Sequence, residues 1–204
     1  MYFKILDSVS SVEKKISLAI SEEANKRIRK NLIKVKPEVQ SFIGDSIINQ
    51  PEMVSLVGGY LRGAFGLVTP ETAVDSIMKS VLSSVYVDFR KYNDKLRGGL
   101  TVKVQPSDFG SLLNLPEGHV IYSKGDLHWL RWLLEYGDTI IVANYDYNPQ
   151  TGLGRSSLGN MKDGTGFRVP PEFSGTLTNN FITRALTEPQ QEQRIYNILK
   201  KVLL

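Results

Sequence analysis

The sequence predicts an α+β fold: a long N-terminal helical region and a C-terminal helix packed on a small antiparallel sheet, with a long inserted loop. Three observations carry this reading. Apolar residues from Val9 to Ile43 recur at steps of three and four, the signature of one continuous helix face. The stretches Val85–Phe89 and Leu100–Val104 are β-branched, aromatic or alternating with period two, with Gly98-Gly99 as turn material between them. From Asn148 to Gly166 the chain is rich in Gly, Ser, Asn and Asp and has no sustained apolar period.

The elements follow in order. The first helical face runs through Val9, Val12, Ile16, Ile20, Ala24, Ile28, Leu32, Val35, Val39 and Ile43. Pro37 removes a backbone donor and crowds the preceding turn, so the reading is either one long bent helix or two in series. Pro51 opens a short helix that Gly58-Gly59 closes. Thr69-Pro70-Glu71 opens another, reaching about Leu82, with the threonine as expected cap. After the strand pair, Val120–Tyr122 is a third strand and Thr139–Tyr145 a fourth, whose apolar run predicts a central place in the sheet. Asp126–Tyr136 carries Leu127, Leu130, Trp132, Leu133 and Leu134 and predicts a helix lying on that sheet, stopped by Gly137. Residues 148–176 are expected to form the inserted loop, within which Asn148–Gly166 is a long loop or an extended hairpin tip, and Asn179–Leu186 and Glu188–Leu204 the closing helices. At 204 residues the simplest division is a single domain: a helical arm over 1–50, a helix-plus-sheet core over 51–147, the loop over 148–176 and the closing helices over 177–204.

Composition narrows the function classes. Hydrophobic residues make up 41% and charged residues 23%, enough apolar material for a core. There is no cysteine, which removes disulfides, thiolate nucleophiles and sulfur-bound zinc and fits synthesis in a reducing compartment. Met1–Asp7 lacks the basic start and apolar run of a signal peptide, and no stretch approaches membrane-spanning length, so neither export by that route nor insertion in a bilayer is expected.

No catalytic, cofactor-binding or metal-binding set can be assembled. The two histidines, His119 and His128, precede a strand and sit beside Trp129 on a helix, without the spacing of paired zinc ligands; packing or surface roles are expected for both. Gly152–Gly159 follows a strand, but the lysine and hydroxyl that a phosphate loop needs at a helix start are missing. Glu135, Asp138 and Asp146 fall on different elements and read as surface acids rather than a general acid–base pair. An enzyme is therefore not expected.

Two features point to partners instead. Between Lys26 and Lys36 there are six basic residues and no acidic one, against a formal net charge of +4 for the chain. Helical projection sets Lys26, Arg27, Lys30 and Lys34 away from the apolar face, a stripe able to contact phosphates of DNA without reading sequence; a solvated face, or one docked on an acidic neighbour, explains the same pattern without nucleic acid and is the favoured reading. The glycine-rich segment, with Arg155, Met161, Phe167 and Arg168, is either a flexible connection or an ordered contact with another subunit, and Arg184 in the closing segment is a further interface candidate.

Three blocks in order resemble the tail-completion or neck proteins of long-tailed bacteriophages. Gly59-Tyr60-Leu61-Arg62-Gly63-Ala64-Phe65 is similar to that family's Gly-x-Leu-Arg block, and Trp132-Leu133-Leu134-Glu135-Tyr136-Gly137 to its apolar-Glu-aromatic-Gly block. Asn180-Phe181-Ile182-Thr183-Arg184-Ala185-Leu186 resembles its Phe-x-x-x-Ala block. Gly154–Met161 and Phe167–Thr176 also look like segments of phage virion proteins. The chain departs from the family in lacking prolines around the third block and in the inserted stretch 148–176. The resemblance implies a homo-oligomeric ring, sixfold, at the head–tail junction of a virion, made in the host cytoplasm and joining the connector to the tail terminator or tube. It also implies DNA passing through the ring, no cofactor and no membrane. A tail terminator or another virion assembly protein is the neighbouring alternative. Such a ring closes by heterologous contacts, one face of a subunit meeting a different face of the next.

Overall fold

The computed structural model describes residues 7–104, 109–122, 125–150, 152 and 154–203. The start Met1–Leu6, and Thr151 and Leu153 of the glycine-rich segment, lie outside the described residues. The fold is α+β, with a long N-terminal helix, C-terminal helices packing against it and small antiparallel sheets. The chain divides into two compact units: Met1–Ser41, Val85–Lys103 and Gln193–Leu204 form the first, and Phe42–Ser84 and Val104–Glu192 the second.

The first unit is organised on α1, Val9–Ile48, whose last turns belong to the second. Ser8 starts it: its hydroxyl oxygen accepts from the Ser11 amide (3.2 Å), filling one of the orphan donors of the first turn. At 1.5 Å per residue, its 40 residues give a rod about 60 Å long. Pro37 does not break it. The carbonyl deprived of a donor is that of Ile33, and Ile33 and Pro37 are both exposed, so the lost bond falls on the solvent side of the helix, where it costs least. Ile28, Val35 and Val39 are buried, whereas Val9, Ile16 and Ile20, earlier in the same stripe, are 76%, 53% and 51% exposed.

Strands β1 (Tyr86–Arg90) and β2 (Gly99–Lys103) pair antiparallel with Tyr86 opposite Lys103. The reversal lies at Asn93–Arg97 rather than at the expected Gly98-Gly99, because the Asn93 side chain accepts from the amides of Lys95 and Arg97. Asn25 of α1 holds this ribbon by two bonds to one residue: its amide nitrogen donates to the Tyr92 carbonyl (2.9 Å) and its oxygen accepts from the Tyr92 amide (2.8 Å). At the other end of the chain, Val202 is buried, the Asn31 side chain donates to its carbonyl (3.1 Å), and Lys201 pairs with Glu38.

In the second unit, α2 (Pro51–Gly58) and α3 (Tyr60–Ala64) flank Gly59, and the Ser55 hydroxyl accepts from the Leu61 amide at that corner (3.0 Å). Helix α4 (Pro70–Ser83) starts as expected at Pro70, but the Thr69 side chain makes no capping bond, leaving the proline and Glu71 as the start signals. A short α5 (Gly110–Leu113) and a 3-10 turn at Pro116–Gly118 lead into β3 (Val120–Tyr122), which pairs with β4 (Gly125–Leu127). Helix α6 is therefore shorter than the predicted Asp126–Tyr136, running only Trp129–Leu134. Trp129 is fully buried and stacks on Phe65, with ring centroids 5.4 Å apart.

Two expectations are corrected here. Asn160–Arg168, expected within the inserted loop, is strand β6, paired antiparallel with β5 (Ile140–Asn148): of the loop and hairpin alternatives the hairpin holds, with its tip confined between Asn148 and Asn160. And β5 is not the centre of a larger sheet: β1–β2, β3–β4 and β5–β6 are three separate two-stranded ribbons. The apolar run Ile140-Ile141-Val142 sits at the root of the β5–β6 ribbon, where Val142 faces Phe167 across the ladder, while residues 143–145 are exposed. The chain closes with α7 (Phe181–Thr187) and α8 (Pro189–Lys200), which ends in a 3-10 turn at Lys201–Leu203. Asn180 and Thr183, departures from the phage family pattern, form a reciprocal capping box at the start of α7, each side chain bonding the other's backbone.

The middle of the β5–β6 ribbon is irregular, with register shifts on β5 and Asn144 in the left-handed region at φ 63°. Asp146 answers this irregularity. Its carboxylate accepts from the backbone amides of Gly166 and Thr165, both at 3.1 Å, and these two bonds hold its pKa below the ordinary value of 3.8. Gly164 makes room for it: a Cβ there would stand 2.2 Å from the carboxylate. A carboxyl with a depressed folded pKa stabilises the ribbon above its ordinary titration range, and that contribution is lost as pH falls through the folded value. In an NMR titration, the Thr165 and Gly166 amide shifts should step together below the usual aspartate range, and Asp146→Asn should abolish the step. Steps at the ordinary aspartate position would contradict this account.

Candidate functional site

Of the residues singled out as interface candidates, Arg155, Phe167, Arg168 and Arg184 have partners within the chain. Arg155 donates from Nη1 to the Ile121 carbonyl (2.9 Å), tying the tip of the β5–β6 ribbon to β3. Phe167 is 2% exposed and packs edge-on to Phe65, with centroids 6.5 Å apart, so its expected role as a subunit contact is corrected to a core role. Arg184 reaches from α7 to Glu52 of α2, a carboxylate with no solvent exposure, and also donates to the Asn179 side chain (3.0 Å). Arg168 is exposed and 3.5 Å from Asp138, and Met161 is 38% exposed on β6.

The basic stripe lies on α1, with Lys26, Arg27, Lys30 and Lys34 all exposed. Arg27 is engaged by Glu23 one turn earlier (2.8 Å), which leaves Lys26, Lys30 and Lys34, spaced by four residues, as the solvent-facing row. In the second unit, Ile48, Val54, Val57, Tyr60 and Phe173 line a shallow apolar groove beside α2; Val54 is 60% exposed.

One grouping was not expected. The β3–β4 register sets Val120 opposite Leu127 and Ile121 opposite Asp126, and continuing it sets His119 opposite His128. Side chains alternate along a strand, so His119, Asp126 and His128 share one face. His119 Nδ1 is 2.8 and 2.9 Å from the two Asp126 carboxylate oxygens, and His128 Nε2 is 3.4 Å from one of them. The two imidazoles are nearly parallel, with centroids 5.0 Å apart. Among the described residues this is the one group of three or more His, Cys, Asp or Glu whose ligand atoms lie within 4.8 Å of one another.

The surrounding backbone holds both histidines. Trp129, next to His128, donates from its indole nitrogen to the Glu117 carbonyl (3.1 Å), two residues before His119. Gly118, adjoining His119, is buried against Leu130, where a Cβ would stand 3.3 Å from Leu130 Cδ2. Reading Asp126–Tyr136 as one helix hid this grouping: Gly125–Leu127 is strand β4, and His128 is the N-cap residue between that strand and α6.

Comparison with protein-family models, curated proteins and solved structures finds no match to this chain.

The Arg184–Glu52 pair has a direct consequence for stability. Glu52 Oε2 has no hydrogen-bond partner among the described residues, so removing the guanidinium leaves a buried carboxylate uncompensated. Arg184→Met should cost about 3 kcal/mol in urea unfolding, and adding Glu52→Gln to the same chain should recover part of that loss. A change within about 0.5 kcal/mol would show that the pair carries little stability.

Proposed function

We propose that this chain is a structural assembly subunit that forms a closed ring at the head–tail junction of a long-tailed phage. The observation that carries the reading is the half-covered stripe of α1. Its apolar period is continuous in sequence, yet Ile28, Val35 and Val39 are buried and Val9, Val12, Ile16 and Ile20 are exposed. An amphipathic face of this regularity gains stability only when something apolar covers it. A second copy is the occupant we assign, because a ring needs two different patches on each subunit, and the groove at Val54, Val57, Tyr60 and Phe173 supplies the second. The three blocks that resemble, in order, those of neck proteins support a station in the virion between connector and tail terminator or tube.

The assembly reading predicts that the full chain, run at tens of micromolar on size exclusion with light scattering, elutes as one oligomer of defined order. Val12→Asp with Ile16→Asp should return it to a monomer of unchanged helicity. A monomeric wild-type chain, or an oligomer indifferent to these changes, would remove the stripe as its basis. Tagged protein in purified particles should label the head–tail junction; label elsewhere in the particle would retain assembly and discard the station.

The exposed row of Lys26, Lys30 and Lys34 favours a second reading, non-specific contact with DNA. Retention on duplex DNA should then weaken as salt rises, and changing the three lysines to alanine should lower the slope of log affinity against log salt by about 3. An unchanged slope would leave the row as a solvated helix face.

A further inference from the structure

We infer that His119, Asp126 and His128 form a binding site for a divalent transition-metal ion of the zinc, nickel or copper kind. This is independent of the ring, and rests on the donor set, its spacing and its support.

Two imidazoles and one carboxylate suit these ions, whereas calcium and magnesium seek all-oxygen sites. The spacing is also right. Two atoms bound to one metal at about 2.1 Å stand about 3.0 Å apart at a right angle and about 3.4 Å apart at the tetrahedral angle. The separations of Asp126 oxygens from His119 Nδ1 and His128 Nε2 are 2.8, 2.9 and 3.4 Å. The same separations suit hydrogen bonds between imidazole and carboxylate, and an ion enters with a small opening of the group.

The support is what separates this grouping from a chance meeting of surface side chains. His119 follows the packed Gly118 and His128 precedes the fully buried Trp129, and the indole bond to Glu117 fixes the chain just outside both. Both ligands thus start from rigid backbone, as a pre-organised site requires. Asp126 lies between them on the same face of β4, set opposite Ile121.

Three protein ligands leave at least one position for water, and His128 and Asp126 are exposed, so the ion stays in contact with solvent. Its effect on the fold is that of a staple. β3 and β4 have three residues each, too few for an independent ribbon, and an ion held from both strands binds only their paired form.

The chain contains two histidines in all, which makes the test direct. Tag-free, metal-stripped protein is titrated with zinc by calorimetry and with cobalt by absorption, while the two histidine ring resonances are followed by NMR. One equivalent should bind, both rings should shift together, and amides from Val120 to Leu127 should exchange more slowly. His119→Ala and His128→Ala should each weaken binding by at least about tenfold, and the double variant should abolish it. Asp126→Asn, which keeps size and shape, should weaken binding as well and carries the test if a histidine variant fails to fold. Absence of binding to the wild-type chain would overturn the proposal, as would binding that survives in the double histidine variant.

Discussion

A ribbon of two short strands is marginal on its own in water, and each named strand of this chain pairs with one neighbour only. The stability of every ribbon must therefore draw on side-chain contacts beyond its own backbone ladder. The β1–β2 ribbon is held through Tyr92 by the two bonds of Asn25. The β3–β4 ribbon is held at its base by the Trp129 indole on Glu117 and at Ile121 by the Arg155 guanidinium. The β5–β6 ribbon is held by Asp146 across its irregular middle, by Tyr147 bonding the Leu158 carbonyl, and by Phe167 packed on Phe65. Side chains that look like surface polar residues in the sequence thus act as substitutes for missing strands. Most of their bonds are to backbone groups that a ladder only two strands wide leaves unpaired.

This constraint explains which parts of the fold were legible in the sequence. The bounds of α2 and α4 are set by local punctuation, Pro51, Gly58-Gly59 and Pro70, and a local signal can be read locally. The strand pair around residues 86–103 was legible for the same reason, its two halves being close and β-rich. β6 was not: Asp163-Gly164 reads as a turn, and the residues from Asn160 to Gly166 lack apolar alternation. Its extended form is imposed by pairing with β5 and by the Asp146 carboxylate, neither of which is written in its own residues. The apolar run at Ile140 suggested a central strand, yet Ile140 is 53% exposed and Ile141 and Val142 are only half-buried, because the ribbon is two strands wide and leaves one edge of β5 without a neighbour.

The candidate sites divide along the same line. The lysine row of α1 was visible because helical spacing alone assembles it. The partner of Arg184 was invisible, since Glu52 lies 132 residues away and its first-turn position after Pro51 has an ordinary explanation as a helix-start acid. The histidine–aspartate grouping fell between these cases. Its three residues span ten positions, but they meet only if residues 125–127 are a strand, and the leucines and tryptophans that follow pull the reading of that stretch toward helix.

α1 shows how a single periodic signal can serve two environments. The period from Val9 to Val39 says only that one face is apolar; what covers it is decided elsewhere. From Ile28 onward the cover lies within the chain, with Val202 also buried and its backbone tied to Asn31. Before Ile20 the face is open, and Glu13, Lys14, Lys15, Glu22 and Glu23 carry charge on the remaining faces, enough to keep the helix solvated. Most helical stability in proteins comes from packing of the apolar face rather than from propensity, so this open segment is the part of α1 with most to gain from a neighbour. In the proposed ring, docking and helix stability are then coupled: each subunit folds its buried half first and completes its arm on the next subunit. That order favours sequential addition over the meeting of fully rigid parts, because the surface each subunit offers is firmest once its own neighbour is in place.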